Sequence, residues 1–494
     1  MNSPDQKTGR ALRINPLIAL ASPKQRSSAT AAPRVLSNTE SVCPVCLTRL
    51  TARHVAYGED VYLEKTCPQH GDFRTIIWRG QPAFSDWVRP KIPTSPQHPF
   101  TTVERGCPFD CGLCPDHQQQ PCCVLLDVTQ RCDLACAFCF ADAERQNSEA
   151  DPSLENIETW YRRLLAAGGP FNIQLSGGEP SLRDDLPEII SLGQSLGFSF
   201  FQINTNGVRL ARDEAYLKRL TAAGLSTVFL QFDGTNDVVY QKMRRAKLFE
   251  LKKQAAERCI NAGLGVVLVP TLVPGINTDQ IGEIIEFALQ YAPGVRGVHF
   301  QPVSYFGRYP QAPANEERIT IPEVIRAIEA QSQGRIRRDS FKPPGGENAL
   351  CSFHASFVFM PDGTLKPITR HNTAQSCCCQ PVERADEGAI KSRLLTAKQW
   401  SSPPSATARP SAQTELTLGG WDEFLERAKT HSFAISGMAF QDVWNLDLKR
   451  LRDCYIMQVS PDNMLVPFCA YNLTDQSGRS LYRPQPGNEF QQEA

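Results

Sequence analysis

The sequence predicts an α/β protein. Its centre is a partial (β/α)6 TIM-like barrel, preceded by a small metal-binding ribbon and followed by a C-terminal cysteine-containing α+β extension. Three observations predict this: six short β-rich apolar runs, helical stretches between them, and polar turn motifs at successive strand ends. The runs fall at 124–128, 171–175, 198–203, 227–232, 266–272 and 298–303, with helical stretches at 155–167, 212–223, 246–262 and 278–291. Alternation of this kind implies parallel strands joined by crossover helices. Six units rather than eight imply a barrel that does not close by itself. Periodicity alone also permits a doubly wound sheet, so the barrel rests on the motifs.

Taken in order, residues 1–40 are rich in Ser, Ala and Arg and read as a disordered leader. Their apolar run at 16–21 is short for a secretory core. Residues 41–80 hold CPVC and CPQHG around strand-like runs, and 81–122 are Pro-rich with a second cysteine loop. The barrel occupies 123–305 and an irregular extension 306–399. The polar Pro/Ser stretch 400–415 reads as a linker. A final module, 416–480, reads as helices at 421–430 and 445–452 and a hairpin through 455–459 and 465–468.

Composition narrows the function. At 494 residues the chain can hold two to four domains. Its 52 basic and 52 acidic residues balance, which argues against nucleic acid as a partner. No apolar run approaches the roughly 20 residues that span a bilayer, so no transmembrane segment is expected and the protein reads as cytoplasmic. The 18 cysteines are the strongest signal. They sit in tight clusters without an export signal, which suits metal ligation better than disulfides.

The first barrel strand runs into Cys132-Asp133-Leu134-Ala135-Cys136-Ala137-Phe138-Cys139. Three thiolates on one loop can hold three irons of a [4Fe–4S] cube and leave the fourth open to S-adenosylmethionine, whose reductive cleavage gives a 5′-deoxyadenosyl radical. A zinc knuckle or a fully ligated electron-transfer cluster is the competing reading. Later strand ends weigh against it: Ser176-Gly177-Gly178-Glu179-Pro180, Asn204-Thr205-Asn206-Gly207, Gln231-Phe232-Asp233-Gly234, Pro270-Thr271-Leu272 and Gln301-Pro302-Val303. All lie where α/β barrels assemble active sites.

A second triad, Cys107, Cys111 and Cys114, repeats the spacing upstream. Cys122, Cys123 or His117 could complete it, Cys122 being favoured, as an auxiliary cluster or a zinc site. Cys43, Cys46 and Cys67, with His70, form two knuckles suited to one tetrahedral zinc or mononuclear iron. Near the C-terminus, the hairpin could bring Cys454 and Cys469 together. Cys351 and the run Cys377-Cys378-Cys379 could add ligands for a third cluster, while Cys259 reads as a core residue.

CDLACAFCF and SGGEP together resemble the radical S-adenosylmethionine superfamily over about 124–305. The resemblance implies that Cys132, Cys136 and Cys139 ligate the radical-forming cluster. It also implies that Phe138 shields the adenine, and that Gly177, Gly178 and Glu179 hold the methionine moiety. Asn204, Asp233 and Arg244 are candidates for ribose or carboxylate contacts, Arg244 being equally readable as part of a solvated basic run. Across 41–475, the wider pattern CPVC, CPQHG, GCPFDCGLCPDH, CDLACAFCFA, SGGEP and PFCAYN is similar to one subgroup, that of archaeal tetraether lipid synthase and dihydropterin dimethyltransferase-like proteins. That similarity implies a rubredoxin-like N-terminal site, one or two auxiliary clusters and an electron donor such as ferredoxin or flavodoxin. The implied reaction is attack on an unactivated carbon, for C–C bond formation on a lipid chain or methylation of a pterin. A noncatalytic iron–sulfur or zinc protein in electron transfer or assembly is the alternative. The region around Cys351 and His354 is only loosely similar to the subgroup, and 380–415 looks inserted.

Overall fold

Alternation of buried and exposed residues along Arg49–Tyr57, with Leu50, Ala52 and His54 turned inward, marks a strand that covers a core on one face only. It pairs within a four-stranded antiparallel sheet of β1 (Arg34–Val42), β2 (Arg49–Tyr57), β3 (Asp60–Cys67) and β4 (Gly71–Arg79), in that order. The computed structural model describes residues 32–143, 150–371, 382–403 and 420–483. The Cys377–Cys379 run, most of the 400–415 stretch and most of the 1–40 leader lie outside these residues. β1, however, begins within 1–40: it pairs with β2 from Arg34↔Ala56 onward, so the ribbon starts earlier than its first cysteine suggests.

The central strands read differently. Every residue of β5 (Cys123–Thr129) is buried, as a parallel strand covered on both faces requires. After it come β6 (Asn172–Gly177), β7 (Phe201–Thr205), β8 (Thr227–Gln231), β9 (Gly265–Val269), β10 (Thr271–Leu272) and β11 (Val295–Pro302). These match the six expected runs, the fifth being divided by Pro270. The helices Leu154–Ala166, Glu214–Ala222, Phe249–Asn261 and Ile281–Gln290 fall at the expected places. Leu154–Ala166 starts on a capping box between Ser153 and Asn156 and buries Ile157, Trp160, Tyr161 and Leu164 on one face.

The C-terminal third does not form a separate module. Its strands β12 (Ser352–Phe359), β13 (Leu365–Pro367), β14 (Ser432–Met438), β15 (Ile456–Val459) and β16 (Leu465–Pro467) extend the barrel sheet at both ends. The sheet runs β13-β12-β14-β11-β9-β8-β7-β6-β5-β15-β16, with β10 beside β11. β14 lies parallel to β11, and β15 parallel to β5. The physical reason is burial: β14 keeps five of its seven residues inside, which an isolated hairpin module could not do. Residues 306–399 are likewise more regular than expected, holding β12, β13 and the helices Ile321–Gln331 and Ala385–Trp400.

The ribbon docks on the loop before the helix Leu448–Arg452. Lys65 donates to the Val443 carbonyl at 2.9 Å and to Ser41 Oγ at 3.0 Å, and Ser41 donates to the Leu446 carbonyl at 2.5 Å. His54 meets Asp447 at 3.1 Å. Burial pushes the Lys65 ammonium down to about 7.

Candidate active site and metal centres

The loop after β5 carries Cys132, Cys136 and Cys139 to the rim of a cavity inside the barrel, and all three line it. Backbone bonds from distant parts of the chain fix the loop. Cys139 and Arg308 exchange N–H···O bonds at 2.9 and 2.8 Å, and the Ala137 N–H donates to the Met243 carbonyl at 2.8 Å. Arg308 also reaches the Cys136 carbonyl at 3.4 Å and Asp142 at 2.9 Å. Burial, with Glu179 and the neighbouring thiols, pushes the Cys132 thiol up to about 12. A metal's charge reverses that preference and deprotonates its thiol ligands. Three soft donors on one anchored loop fit an iron–sulfur cluster.

The strand ends around this loop are tied to one another. Gly177 has φ +119°, and a Cβ there would lie 2.1 Å from the Thr129 carbonyl oxygen. A Cβ on Gly178 would lie 2.1 Å from the Arg131 carbonyl oxygen. Only glycine allows β6 to end this close to β5. Glu179 is buried, and its carboxylate accepts from Ser181 Oγ at 2.6 Å, Thr205 Oγ1 at 2.6 Å and the Asn206 N–H at 2.7 Å. Burial outweighs these donors and holds its carboxyl above the usual range. Glu179 thus clamps β6 to β7 while facing the cavity.

Asp233 and Arg244 form a buried two-point ion pair, at 2.7 and 2.9 Å. Arg244 also donates to the Phe138 carbonyl at 3.0 Å. It is therefore no part of a solvated basic run: it lines the cavity and holds the cysteine loop, with Asp233 behind it. Asn204 lines the cavity too, donating to Gln174 Oε1 at 3.3 Å. Sequence reasoning missed Asn206, which donates to Asp133 at 2.6 Å, and Lys252, whose ammonium reaches Gln231 at 3.0 Å. The NTNG turn held a signal for Asn206. A helical lysine that proves wholly buried carries none.

The cavity measures about 490 Å³. Strand side chains facing it include Gln174, Asn204, Gln231, His299, Gln301 and Ser436, and the helix Ala385–Trp400 contributes Trp400. Trp400 packs on Phe229 with ring centroids 4.7 Å apart. Burial pushes His299 down to about 4 and His354 to about 3, so both are neutral at neutral pH. His299 shares a 2.9 Å hydrogen bond with Ser436.

In the ribbon, Cys43, Cys46, Cys67 and His70 converge, their ligand atoms all within 4.8 Å of one another. His70 Nδ1 lies 3.5 Å from Cys43 Sγ and 3.4 Å from Cys67 Sγ. This donor set fits a single tetrahedral ion.

The remaining cysteines divide in two. Cys107, Cys111 and Cys114 act on one another electrostatically, and the Tyr482 hydroxyl receives the Cys111 N–H at 2.9 Å. Cys122, unlike these three, faces the barrel cavity. It lines that cavity with Cys123, because the strand that begins at Cys123 carries it inward; His117 instead donates from Nε2 to the Cys454 carbonyl at 2.8 Å. Cys351, Cys454 and Cys469 meet around a small separate pocket with Arg450, which donates to Cys351 Sγ at 3.5 Å. Cys259 stands apart in the core, its thiol pushed up to about 12 by burial.

A barrel of parallel strands with a three-cysteine loop at the C-terminal end of its first strand defines a class, and comparison with known proteins agrees. The profile of the radical SAM superfamily matches residues 126–288, and that of the HMPTM N-terminal zinc ribbon domain matches residues 35–79. The 7,8-dihydro-6-hydroxymethylpterin dimethyltransferase of Methanocaldococcus jannaschii is 35% identical over 470 residues, covering 88% of this chain and 93% of that protein. The chain belongs to the radical SAM superfamily, in the family that includes this archaeal enzyme. A probable GTP 3′,8-cyclase of Methanothermobacter thermautotrophicus is 27% identical over 296 residues, 56% of this chain and 94% of that protein. Among solved structures, Streptococcus suis SuiB bound to S-adenosylmethionine matches with a TM-score of 0.35 and 15% identity, over 44% of this chain and 48% of that one. The chain is accordingly an enzyme, and the domain implies a [4Fe–4S] cluster and S-adenosylmethionine. Among the described residues no helix is long and apolar enough to cross a membrane.

Proposed function

We propose that this enzyme methylates a reduced pterin, with Cys132, Cys136 and Cys139 as ligands of the radical-forming cluster. When bound, that cluster would supply the electron for reductive cleavage of S-adenosylmethionine, and so the means of removing hydrogen from an unactivated C–H bond. Gly177 and Gly178 open the backbone for the methionine end, and Phe138 borders the adenine side. Glu179 keeps that rim in shape through Ser181, Thr205 and Asn206.

The observation that carries the pterin reading is the lining of the barrel. Gln174, Asn204, Gln231, His299 and Gln301 project into one cavity with Phe229 and Trp400. Amides and neutral imidazoles beside aromatic faces suit a flat heterocycle rich in donors and acceptors. Some of these groups already bond within the wall, as Asn204 does to Gln174 and Lys252 to Gln231. A lipid chain, however, would offer nothing to the remaining amide donors and acceptors, each at a cost of about 1–3 kcal/mol. The similarity to an enzyme named for a dihydropterin supports the same choice over lipid C–C coupling.

In this reading Cys107, Cys111 and Cys114 hold one auxiliary cluster, and Cys351, Cys454 and Cys469 contribute to another. The ribbon holds zinc, and a small cytoplasmic donor such as ferredoxin or flavodoxin delivers electrons. The test is anaerobic: the cluster-loaded chain, dithionite, S-adenosylmethionine, 6-hydroxymethyl-7,8-dihydropterin and a methylene-tetrahydropterin as one-carbon donor, with products read by mass. The methyl carbon is traced by labelling either the S-adenosylmethionine methyl or that donor. Expected are 5′-deoxyadenosine and a pterin heavier by one or two methyl groups, both absent for Cys132→Ala. Unmethylated pterin alongside full 5′-deoxyadenosine formation would reject the substrate but keep the enzyme class.

A further inference from the structure

Glu347 lies on the cavity wall where the cavity adjoins the Cys351–Cys454–Cys469 pocket. It is 3% exposed. Its Oε1 accepts from the Ser352 hydroxyl, and its Oε2 is buried with no hydrogen-bond partner among the described residues. Lys91, the nearby cation, acts on this carboxylate through its charge but spends its hydrogen bonds on the Gly346 and Glu347 backbone carbonyls. Tyr455 neighbours the same carboxylate, and its ring packs so close to Gly346 that a Cβ there would lie 2.5 Å from it. A carboxylate offers about four acceptor sites on two oxygens. Ser352 and one tyrosine hydroxyl cannot fill them, and a buried carboxylate left short of donors is costly.

We propose that Glu347 is the specificity-determining residue for the substrate, its carboxylate accepting from the 2-amino group and the ring N3–H of a 2-amino-4-oxopteridine. This rests on the pterin reading above and adds how the ring is chosen. The two N–H groups lie side by side on one edge of the heterocycle. They match the two oxygens of a carboxylate as a guanidinium does. Tyr455 supplies an aromatic wall beside that edge. A lumazine, which carries a 2-oxo group in place of the amine, presents an oxygen to the carboxylate and is rejected. No atom of Glu347 takes part in the bond-making step.

The experiment measures binding to the full cluster-loaded chain without reductant, by pteridine fluorescence. The probes are 6-hydroxymethyl-7,8-dihydropterin and the corresponding dihydrolumazine. Wild type should prefer the pterin by about tenfold or more. Glu347→Gln, the same size and able to donate, should lose pterin affinity about ten- to a hundredfold and erase or reverse that preference. Iron content and the electron paramagnetic resonance signals of the reduced protein should be the same in both. Equal pterin binding by Glu347→Gln and wild type overturns the assignment alone. Wild type that binds neither pteridine overturns the substrate reading and the assignment with it. A lost or altered cluster signal in Glu347→Gln also overturns the assignment, placing the carboxylate with the thiol pocket instead.

Discussion

Arg244 bridges Asp233 and the backbone of Phe138: two of its nitrogens meet the Asp233 carboxylate at 2.7 and 2.9 Å, and a third donates to the Phe138 carbonyl at 3.0 Å. The end of β8 is thereby tied to the cysteine loop after β5, across the mouth of the barrel. Asp233 is itself placed by the Thr271 N–H at 3.1 Å and by Asn277, which donates to its backbone carbonyl at 2.8 Å.

Arg244→Ala should therefore strip a buried carboxylate of its partner and cost about 3–5 kcal/mol of stability. Arg244→Lys keeps the charge but cannot make the three-way contact. It should fold, yet bind fewer irons at the Cys132 loop. Urea unfolding and iron per chain check the two effects separately. Full iron loading in Arg244→Lys would show that the loop needs no such brace.

The close approach of β6 to β5 gives a second expectation. Gly178→Ala would set a Cβ 2.1 Å from the Arg131 oxygen and 3.0 Å from that of Gln130. Neither is a side chain that can turn away. The substitution should lower 5′-deoxyadenosine formation at least about tenfold by moving the backbone that borders the methionine end. Arg131 directly precedes Cys132, so iron per chain is measured alongside: lost turnover at full iron assigns the effect to the methionine end, and lost iron assigns it to the cysteine loop.

Asp447 governs acid stability at the junction of ribbon and barrel. Burial alone would raise its carboxyl, yet His54 at 3.1 Å and Thr39 at 2.6 Å hold it below the usual range. A depressed carboxylate contributes stability above the unfolded-state value of 3.8 and loses it as pH falls through the lower folded value. Asp447→Asn should cost about 3 kcal/mol near neutrality and flatten the acid limb of the stability curve. Urea midpoints from pH 2 to pH 7 measure both. An unchanged acid limb would assign the acid sensitivity to other carboxylates.

The ribbon metal can be tested apart from catalysis. Cys43→Ser removes one of four ligands that lie within 4.8 Å of one another. It should lower the zinc content from about one per chain toward zero while leaving iron unchanged. Amide exchange should rise across β1 to β4 and stay low in the barrel. His70→Ala should do the same more weakly, since three thiolates remain.

The barrel was legible in the sequence because local signals repeat: apolar runs such as those of β5 and β8 end in polar turns at a regular interval. The cysteine loop and SGGEP could be read for the same reason, each being continuous in the chain. What could not be read depends on long-range pairing. β14 enters the sheet between β11 and β12, and β15 pairs with β5 more than 300 positions earlier, as in Ile456↔Cys123. Neither strand carries a local mark of its neighbour. The helix Ala385–Trp400 was hidden by its composition, burying small residues, Ala385, Gly388 and Ala389, instead of an apolar stripe. Arg308, which holds Cys139, stands in an irregular segment after β11 with no motif to mark it.

The same long-range pairing gathers Cys351, Cys454 and Cys469, and this gives a last expectation. Cys454 precedes β15, and Cys469 follows β16 in the helix Phe468–Tyr471. The hairpin they flank therefore brings them together, and β12 places Cys351 opposite. Arg450 is buried beside them, its Nη2 3.5 Å from Cys351 and its Nε without a partner among the described residues. Arg450 eases charge on the neighbouring sulfurs, but burial still holds all three thiols above their ordinary value, so a bound metal would be needed to make them thiolates. If it contributes to an auxiliary cluster, Cys469→Ala should lower iron by about four atoms per chain. Cys259→Ala, which removes an equally buried but isolated thiol, should leave iron unchanged and alter only stability. Equal iron in Cys469→Ala and wild type would make these three cysteines core residues like Cys259.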